Sequence, residues 1–280
     1  MHVDYFNCVK KNNMGRMGLI LLVIISTIAI FAPLLTFYHP AETSPNTLQF
    51  PSAKHPLGTN DIGQDILSRV LYGARTTLVV AFLVGITSTL LSAFLGGTAA
   101  LFGGLYERIV MRIADVFLTL PSILVIILIT SYVRPGLLML VIVISAFSWQ
   151  GGARVIRAQT LSLKNKAHIA AARTFGAGNL YILRKHILPD LGPLMVAGFV
   201  QHARRAVFME AGLAFLGICD PTTVSWGIML NRALEFAYLN VWYWLLPPGL
   251  ALSLTVLSFT FLGYALEETV NPRLRVKENA

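Results

Sequence analysis

The residues best suited to do chemistry lie together in one apolar stretch. Between Leu191 and Ile218 an otherwise hydrophobic segment carries Gln201, His202, Arg204, Arg205 and Glu210 at its middle. As a helix rising 1.5 Å per residue this segment is about 42 Å long. That exceeds the roughly 30 Å hydrocarbon core of a bilayer, so its centre lies deep. A charge at such depth costs about 2.5–3.5 kcal/mol on insertion scales and faces a cavity or a partner rather than lipid. Helical spacing sets His202, Arg205 and Met209 on one stripe, at i, i+3 and i+7. Two uses fit. The stripe lines a path on which the arginines attract a solute carboxylate while His202 and Met209 touch a metal in passing, or the charges make a buried ionic contact with a partner protein. Glu210, five residues from Arg205, is poorly placed to pair within its own helix. It is expected to pair with another helix or subunit.

Other reactive side chains are sparse. The run His55-Pro56-Leu57-Gly58-Thr59-Asn60-Asp61-Ile62-Gly63-Gln64-Asp65 is turn chemistry, and its histidine has no second ligand at metal spacing. It is read as a loop residue. The segment 66–78 reads as a short amphipathic helix whose Arg69 and Arg75 reach lipid headgroups. Cys8 and Cys219 are far apart and without ligand spacing, so they are read as unpaired thiols, and no metal site is expected. No nucleophile–base pair or metal motif supports an enzyme.

The elements that must position these residues are membrane spans. Of 280 residues, 55% are hydrophobic and 12% are charged, where a soluble domain carries about 25% charged. A water-soluble fold would have to expose a large apolar surface. The net charge of +9 is split between the apolar runs. It forms no basic domain, so nucleic acid is not expected as a partner and the charges read as topology signals. Spans are predicted over 17–37, 77–102, 116–133, 135–153, 191–218 and 241–266, each near the 20 residues that cross a bilayer. The first is too long for a signal-peptide core and no small-residue cleavage pattern follows it, so it is read as uncleaved. Glycines such as Gly85, Gly96 and Gly97 allow close helix contact in lipid. Pro33, Pro121, Pro247 and Pro248 are tolerated within spans when neighbours re-satisfy the freed carbonyls.

Lys and Arg near the span ends set orientation. Lys10, Lys11 and Arg16, then Arg108 and Arg112, then seven basic residues from Arg154 to Lys185, then Arg273, Arg275 and Lys277 all fall on one side if there are six spans. That predicts an all-α membrane protein with about six transmembrane helices and both termini cytosolic. The organisation is then a cytosolic N-terminus (1–16), a first transmembrane helix (17–38), an extracytoplasmic loop (39–76), a transmembrane core (77–266) containing a cytosolic loop (152–190), and a cytosolic tail (267–280). That cytosolic loop is far longer than a tight turn needs. Ala167, Ala170, Ala171 and Ala172 give a helix over 164–175 with a small, flat face. Gly176 and Gly178 stop it. Asn179 is expected to cap a second helix, 180–188, which Pro189 breaks. Such a helical knob suits a groove on a partner protein, or an interfacial pair held to anionic lipid by Arg184 and Lys185.

Ala170-Ala171-Ala172-Arg173-Thr174-Phe175-Gly176-Ala177 with Ile187-Leu188-Pro189 resembles the "EAA" loop of ABC importer permeases, with Ala170 in place of the pattern's leading Glu. His55-Pro56-Leu57-Gly58-Thr59, Gly63-Gln64-Asp65-Ile66-Leu67-Ser68-Arg69 and Tyr72-Gly73-Ala74-Arg75 resemble the external block of the dipeptide/oligopeptide/nickel branch. So do Met111-Arg112-Ile113-Ala114-Asp115, Pro121-Ser122, Phe215-Leu216-Gly217, Ser225-Trp226-Gly227 and Asn271-Pro272-Arg273. The resemblance runs from Met17 to Arg275 and is to the shorter, C-type permease subunit.

The resemblance implies a type I importer fold that forms half of a pathway for small peptides or nickel, free or chelated. It implies a non-catalytic subunit working with a second homologous permease, two ATP-binding subunits and an extracytoplasmic solute-binding protein in the cell membrane. Ala170, Ala171, Ala172, Arg173, Gly176, Ile187, Leu188 and Pro189 would couple it to the ATPases, and His202, Arg204, Arg205, Met209 and Glu210 would line the pathway. ATP and Mg would be bound by the partner subunits. No cofactor is expected in this chain, which has no Walker A sequence. A passive channel or ion-coupled carrier is the alternative, but no internal repeat of the kind such carriers show is evident.

Overall fold

A computed structural model describes residues 12–132 and 136–270. Cys8, Lys10, Lys11, Arg134, Pro135 and the basic tail with Arg273, Arg275 and Lys277 lie outside the described residues. In chain order the helices are α1 (Asn13–Leu35), α2 (Ile66–Phe102), α3 (Gly104–Thr119), α4 (Ser122–Tyr132), α5 (Leu137–Ala146), α6 (Trp149–Leu163), α7 (Ala167–Thr174), α8 (Asn179–Ile182), α9 (Leu188–Asp190), α10 (Gly192–Phe215), α11 (Trp226–Glu235) and α12 (Trp242–Val270). A π-helical turn, Leu183–Ile187, joins α8 to α9. Among the described residues the one extended pairing is an isolated bridge between Thr59 and Asp65.

Three helices, α1, α2 and α12, are long and apolar enough to cross a membrane, and the bent pairs α3–α4 and α5–α6 raise the number to five. Their outward surface is apolar. Leu34, Phe82, Leu90, Leu124, Leu128 and Leu250 are all exposed, which suits lipid as the solvent and not water. α10 has the length of a span, but its charges set it apart from the others.

Several boundaries differ from the sequence reading, each for a local reason. The expected short helix 66–78 and second span 77–102 are one helix of 37 residues, because no proline or cap interrupts it. At about 56 Å it outreaches the hydrocarbon core. Its first turns are buried: Trp226 Nε1 donates to the Val70 carbonyl at 2.8 Å. Arg69, expected at headgroups, is instead buried and donates to Gln64 Oε1 (2.5 Å) and the Pro40 carbonyl (3.0 Å). Arg75 is exposed. The expected span 116–133 is broken, since α3 and α4 meet at 86°. Leu120, ahead of Pro121, takes an extended backbone, as a residue before proline prefers. The expected span 135–153 is a 45° pair, α5–α6, that runs on to Leu163. At the bend Ser148 Oγ and Gln150 Nε2 donate back to the carbonyls of Ile144 and Ala146, at 2.7 and 2.9 Å. Pro33, Pro247 and Pro248 do lie inside continuous helices.

The turn-rich loop 39–65 is an ordered cap on the bundle. His55 is buried with its Nδ1 2.9 Å from Asp65 Oδ1, and Asp65 Oδ2 accepts from the Ser68 N–H to cap α2. Gly58 and Gly63 hold positive φ angles of 78° and 74° there, which side chains resist. At the opposite end of the bundle, Asn12 Nδ2 donates to Glu268 Oε2 at 2.5 Å, so the start of α1 meets the end of α12.

The core joins Val80 and Val84 of α2, Ile126 of α4, Leu140 and Ile144 of α5, and Met209 and Leu213 of α10. α2 and α6 approach through small residues, and a Cβ at Gly96 would collide with the Ala153 carbonyl. Gly96→Ala is expected to destabilise the protein by about 1–3 kcal/mol through overpacking, read as a lower thermal midpoint in detergent. Gly212→Ala in α10, where nothing lies within 4 Å of the new Cβ, should be neutral or stabilise by up to ~1 kcal/mol.

Candidate functional site

The charged middle of α10 borders a cavity of about 480 Å³. Its walls are Leu118 at the end of α3, Ser148, Gly151 and Gly152 around the start of α6, Gln201 to Phe208 along α10, and Val256 of α12. Arg205 Nη2 donates to Ser122 Oγ at 3.3 Å, and Arg204 Nη2 donates to Gln201 Oε1 at 2.7 Å. Gln201 Nε2 in turn donates to Glu267 Oε1 at 2.6 Å. The arginines are thus held by a hydroxyl and an amide, which leave their charge uncancelled. Among the described residues neither has a carboxylate in ion-pair range. The cavity is therefore cationic and suited to an anionic group.

His202 stands between this cavity and a second one of about 410 Å³, lined by Thr89, Ser92, Val155, Leu194, Met195 and Glu267. Gly152 makes that crossing possible. A Cβ there would lie 2.5 Å from Ser92 Oγ and 3.2 Å from His202 Nε2.

Met209 and Glu210 are elsewhere. Met209 shares a stripe with His202, but two turns further along the helix it is buried against Val80, Val84, Ile126 and Ile144. Glu210 is 3% exposed and accepts from Thr77 Oγ1 at 3.1 Å. Its partner is another helix of the same chain. It borders a cleft of about 20 Å³ with Cys219, Asp220 and Ser225. Cys219 is a free thiol, pushed up to about 12 by burial, so it stays protonated.

The segment 164–190 is a second candidate. Ile169, Ile182 and Ile187 are buried against Leu101 of α2 and Ile156 of α6, and Leu188 packs beside them. That anchors the opposite surface outward: Ala170, Ala171, Arg173 and Gly176 are exposed, Ala172 is half-buried, and Phe175 is 91% exposed. Pro189 is exposed. Lys164 Nζ and Asn179 Nδ2 donate to the carbonyls of Ala100 and Leu101, at 3.2 and 3.4 Å, at the last turn of α2, where helix carbonyls lack partners. Asn179 is thus not the cap expected of it; Gly178 holds the N-cap position. Pro189 does not break the chain either, because it sits at the first turn of α9, where its missing N–H costs nothing.

Sequence reasoning missed several contributors. Ser122, Glu267 and Gly152 approach α10 only through tertiary packing. Glu107 and Asp115 of α3 pair with Arg157 and Arg154 of α6. Their eight-residue spacing on an amphipathic helix, against two arginines three apart, was the available signal.

A model of binding-protein-dependent transport system inner membrane components matches residues 88–276. A model of the N-terminal transmembrane domain of oligopeptide transport permease C matches residues 8–54. A dipeptide transport system permease protein of Bacillus subtilis is 33% identical over 97% of this chain and 86% of its own length. Another from Alkalihalophilus pseudofirmus is 36% identical over 97% and 90%. An oligopeptide transport system permease protein of Bacillus subtilis is 32% identical over 95% and 88%. With a matching model over most of its length and relatives aligned almost end to end, the chain belongs to the binding-protein-dependent transport system inner membrane components, a family of integral membrane permeases.

Proposed function

We propose that this chain is a permease subunit of an ATP-driven importer for small peptides, and that the cavity around Arg204 and Arg205 is its part of the solute path. The observation that carries this reading is an uncancelled pair of guanidinium groups facing a cavity at the middle of a membrane helix, in a chain similar over 97% of its length to a dipeptide permease. Every zwitterionic peptide has a carboxylate, so one cationic site serves many sequences. Nickel, the other solute expected from the family, has less support here, because Met209 packs into the core and leaves His202 as the soft-to-borderline donor at the cavity. Arg205→Leu is expected to cut peptide uptake roughly tenfold or more, since a hydrogen bond to a charged group is worth about 1.5–3 kcal/mol. Co-purification with the partner subunits should be unchanged. Loss of assembly instead would make these charges a subunit contact.

The chain itself carries out no covalent chemistry in this reading. Two cytosolic subunits bind ATP and Mg, a second permease completes the path, and a solute-binding protein delivers the peptide from outside. The exposed face Ala170–Gly176, with Phe175 at its end, docks on an ATPase. Ile187 and Leu188 support that face from below and do not touch the partner. Solute crosses by alternating access as ATP closes the ATPases and moves this segment. Two ion pairs carry the movement onward, Arg157 with Glu107 and Arg154 with Asp115, since they clamp α3 to α6. The more exposed pair, Arg154 with Asp115, adds little to stability. Asp115→Arg or Arg154→Glu alone should therefore lower transport per ATP hydrolysed without lowering the thermal midpoint, and the exchanged pair should restore it. An exchanged pair no better than either single change would remove the clamp from the mechanism.

Six crossings with cytosolic ends follow if α10 spans as well. The contact between Asn12 and Glu268 puts the start of α1 and the end of α12 on one side, as an even number of crossings requires. In a background with both Cys8→Ala and Cys219→Ala, Lys54→Cys should react with an impermeant thiol reagent on intact cells, and Phe175→Cys only after the membrane is opened. The reverse pattern would invert the topology.

A further inference from the structure

A slot of about 610 Å³ runs between α1, α2, α10 and α12. Apart from Ser26 and Arg75 its walls are apolar, with Leu22, Ala29 and Ile30 on α1, Leu78 and Phe82 on α2, and Phe199 on α10. The lining of α1 extends from Leu22 to Ile30 and that of α2 from Arg75 to Leu83. Each covers eight residue steps, about 12 Å of helix. One leaflet of a bilayer offers about half of a ~30 Å hydrocarbon core, or ~15 Å. The slot therefore has the depth of a single leaflet. Three of its walls, α1, α2 and α12, are the helices long and apolar enough to span, so it opens to acyl chains and not to water.

Arg75 is the charged residue of the lining. It stands at the end of the slot nearest the ordered cap, exposed, with its guanidinium 5.8 Å from the centroid of the Tyr72 ring. Tyrosine at that level marks the headgroup zone. Among the described residues no carboxylate pairs with Arg75. A cation at the mouth of a leaflet-deep apolar slot is complementary to an anionic headgroup carrying an acyl chain.

We infer that this slot is a binding site for one anionic phospholipid of the leaflet on the cap side, with an acyl chain between α1 and α2 and the phosphate on Arg75. The site is distinct from the cavity of α10 and does not depend on which solute is carried. It also gives α1 a lipid-filled seam with α2, beside its tight contact with α12 at Gly18, where a Cβ would lie 2.8 Å from the Ser258 carbonyl.

The test uses the full chain in nanodiscs of equal parts phosphatidylglycerol and phosphatidylethanolamine, re-extracted into mild detergent, with retained lipid read by native mass spectrometry. The wild type should retain phosphatidylglycerol in preference. Arg75→Gln should lower that preference about fivefold, the factor one basic side chain is worth at an anionic surface. Arg75→Lys should keep most of it. Ala29→Leu, which fills the slot, should reduce retention of both lipids. Equal retention of the two lipids by the wild type, an unchanged preference in Arg75→Gln, or no retained lipid at all, as a protein helix in the slot would give, each overturns the assignment.

Discussion

The close contact of α2 with α6 is the constraint on which the rest of the structure depends. Lipid tails are as apolar as leucine, so no hydrophobic force drives two helices together within the bilayer. What remains is packing and hydrogen bonding. Gly96 lets α2 meet the Ala153 carbonyl, and Ser92 Oγ donates to the Trp149 carbonyl at 2.7 Å. Next to Ala153 in α6, Gly152 makes room for both Ser92 and His202. Side chains at these glycines would push α6 outward, open the crossing with α10 and enlarge or merge the two cavities beside His202. The residue after Gly96, Gly97, turns to the π-helical segment, where a Cβ would lie 2.6 Å from Leu183. That contact seats the 164–190 segment against the end of α2. The cavity and the exposed Ala-rich face are thus fixed by one seam of small residues.

Electrostatics acts on this frame by exclusion. A charge within an apolar bundle is costly wherever lipid would have to solvate it. α10 meets that constraint twice by different means. Arg204 and Arg205 turn to a cavity and take neutral partners, so their field reaches into open space. Glu210 is sealed against Thr77 in a cleft with no room for a solute. A single helix therefore separates a charge that can act on a ligand from one that holds helices together.

Much of this was legible in the sequence because lipid demands long apolar runs, and such runs survive without knowledge of their neighbours. α1, α12 and the extent of α10 followed from length and charge alone. The bends did not. A proline in an apolar run reads the same whether the helix tolerates it, as at Pro247, or turns by 86°, as at Pro121. The difference is set by what packs on the freed carbonyls. Helical spacing put Met209 beside His202 correctly in angle, but angle does not say where a core closes over a helix. The buried state of Arg69 was hidden for the same reason, since its partners at Pro40 and Gln64 belong to a loop that only folding brings back.

The broken third segment then acquires a role that an unbroken span could not have. α6 leads directly into the exposed 164–190 segment, and its arginines grip α3 at Glu107 and Asp115. α3 ends at the 86° turn, after which Ser122 begins α4 and receives the hydrogen bond of Arg205. A displacement of α7 has a route to Arg205 through these ion pairs and one corner. Pro121 has no N–H to bond back into α3, so the corner lacks the ladder that stiffens a continuous helix. Rotation is cheapest at such a point, and at this point the hydroxyl that accepts from Arg205 is attached. A straight span would have carried Ser122 rigidly with α3. The corner lets a tilt of α3 become a change in what Arg205 touches.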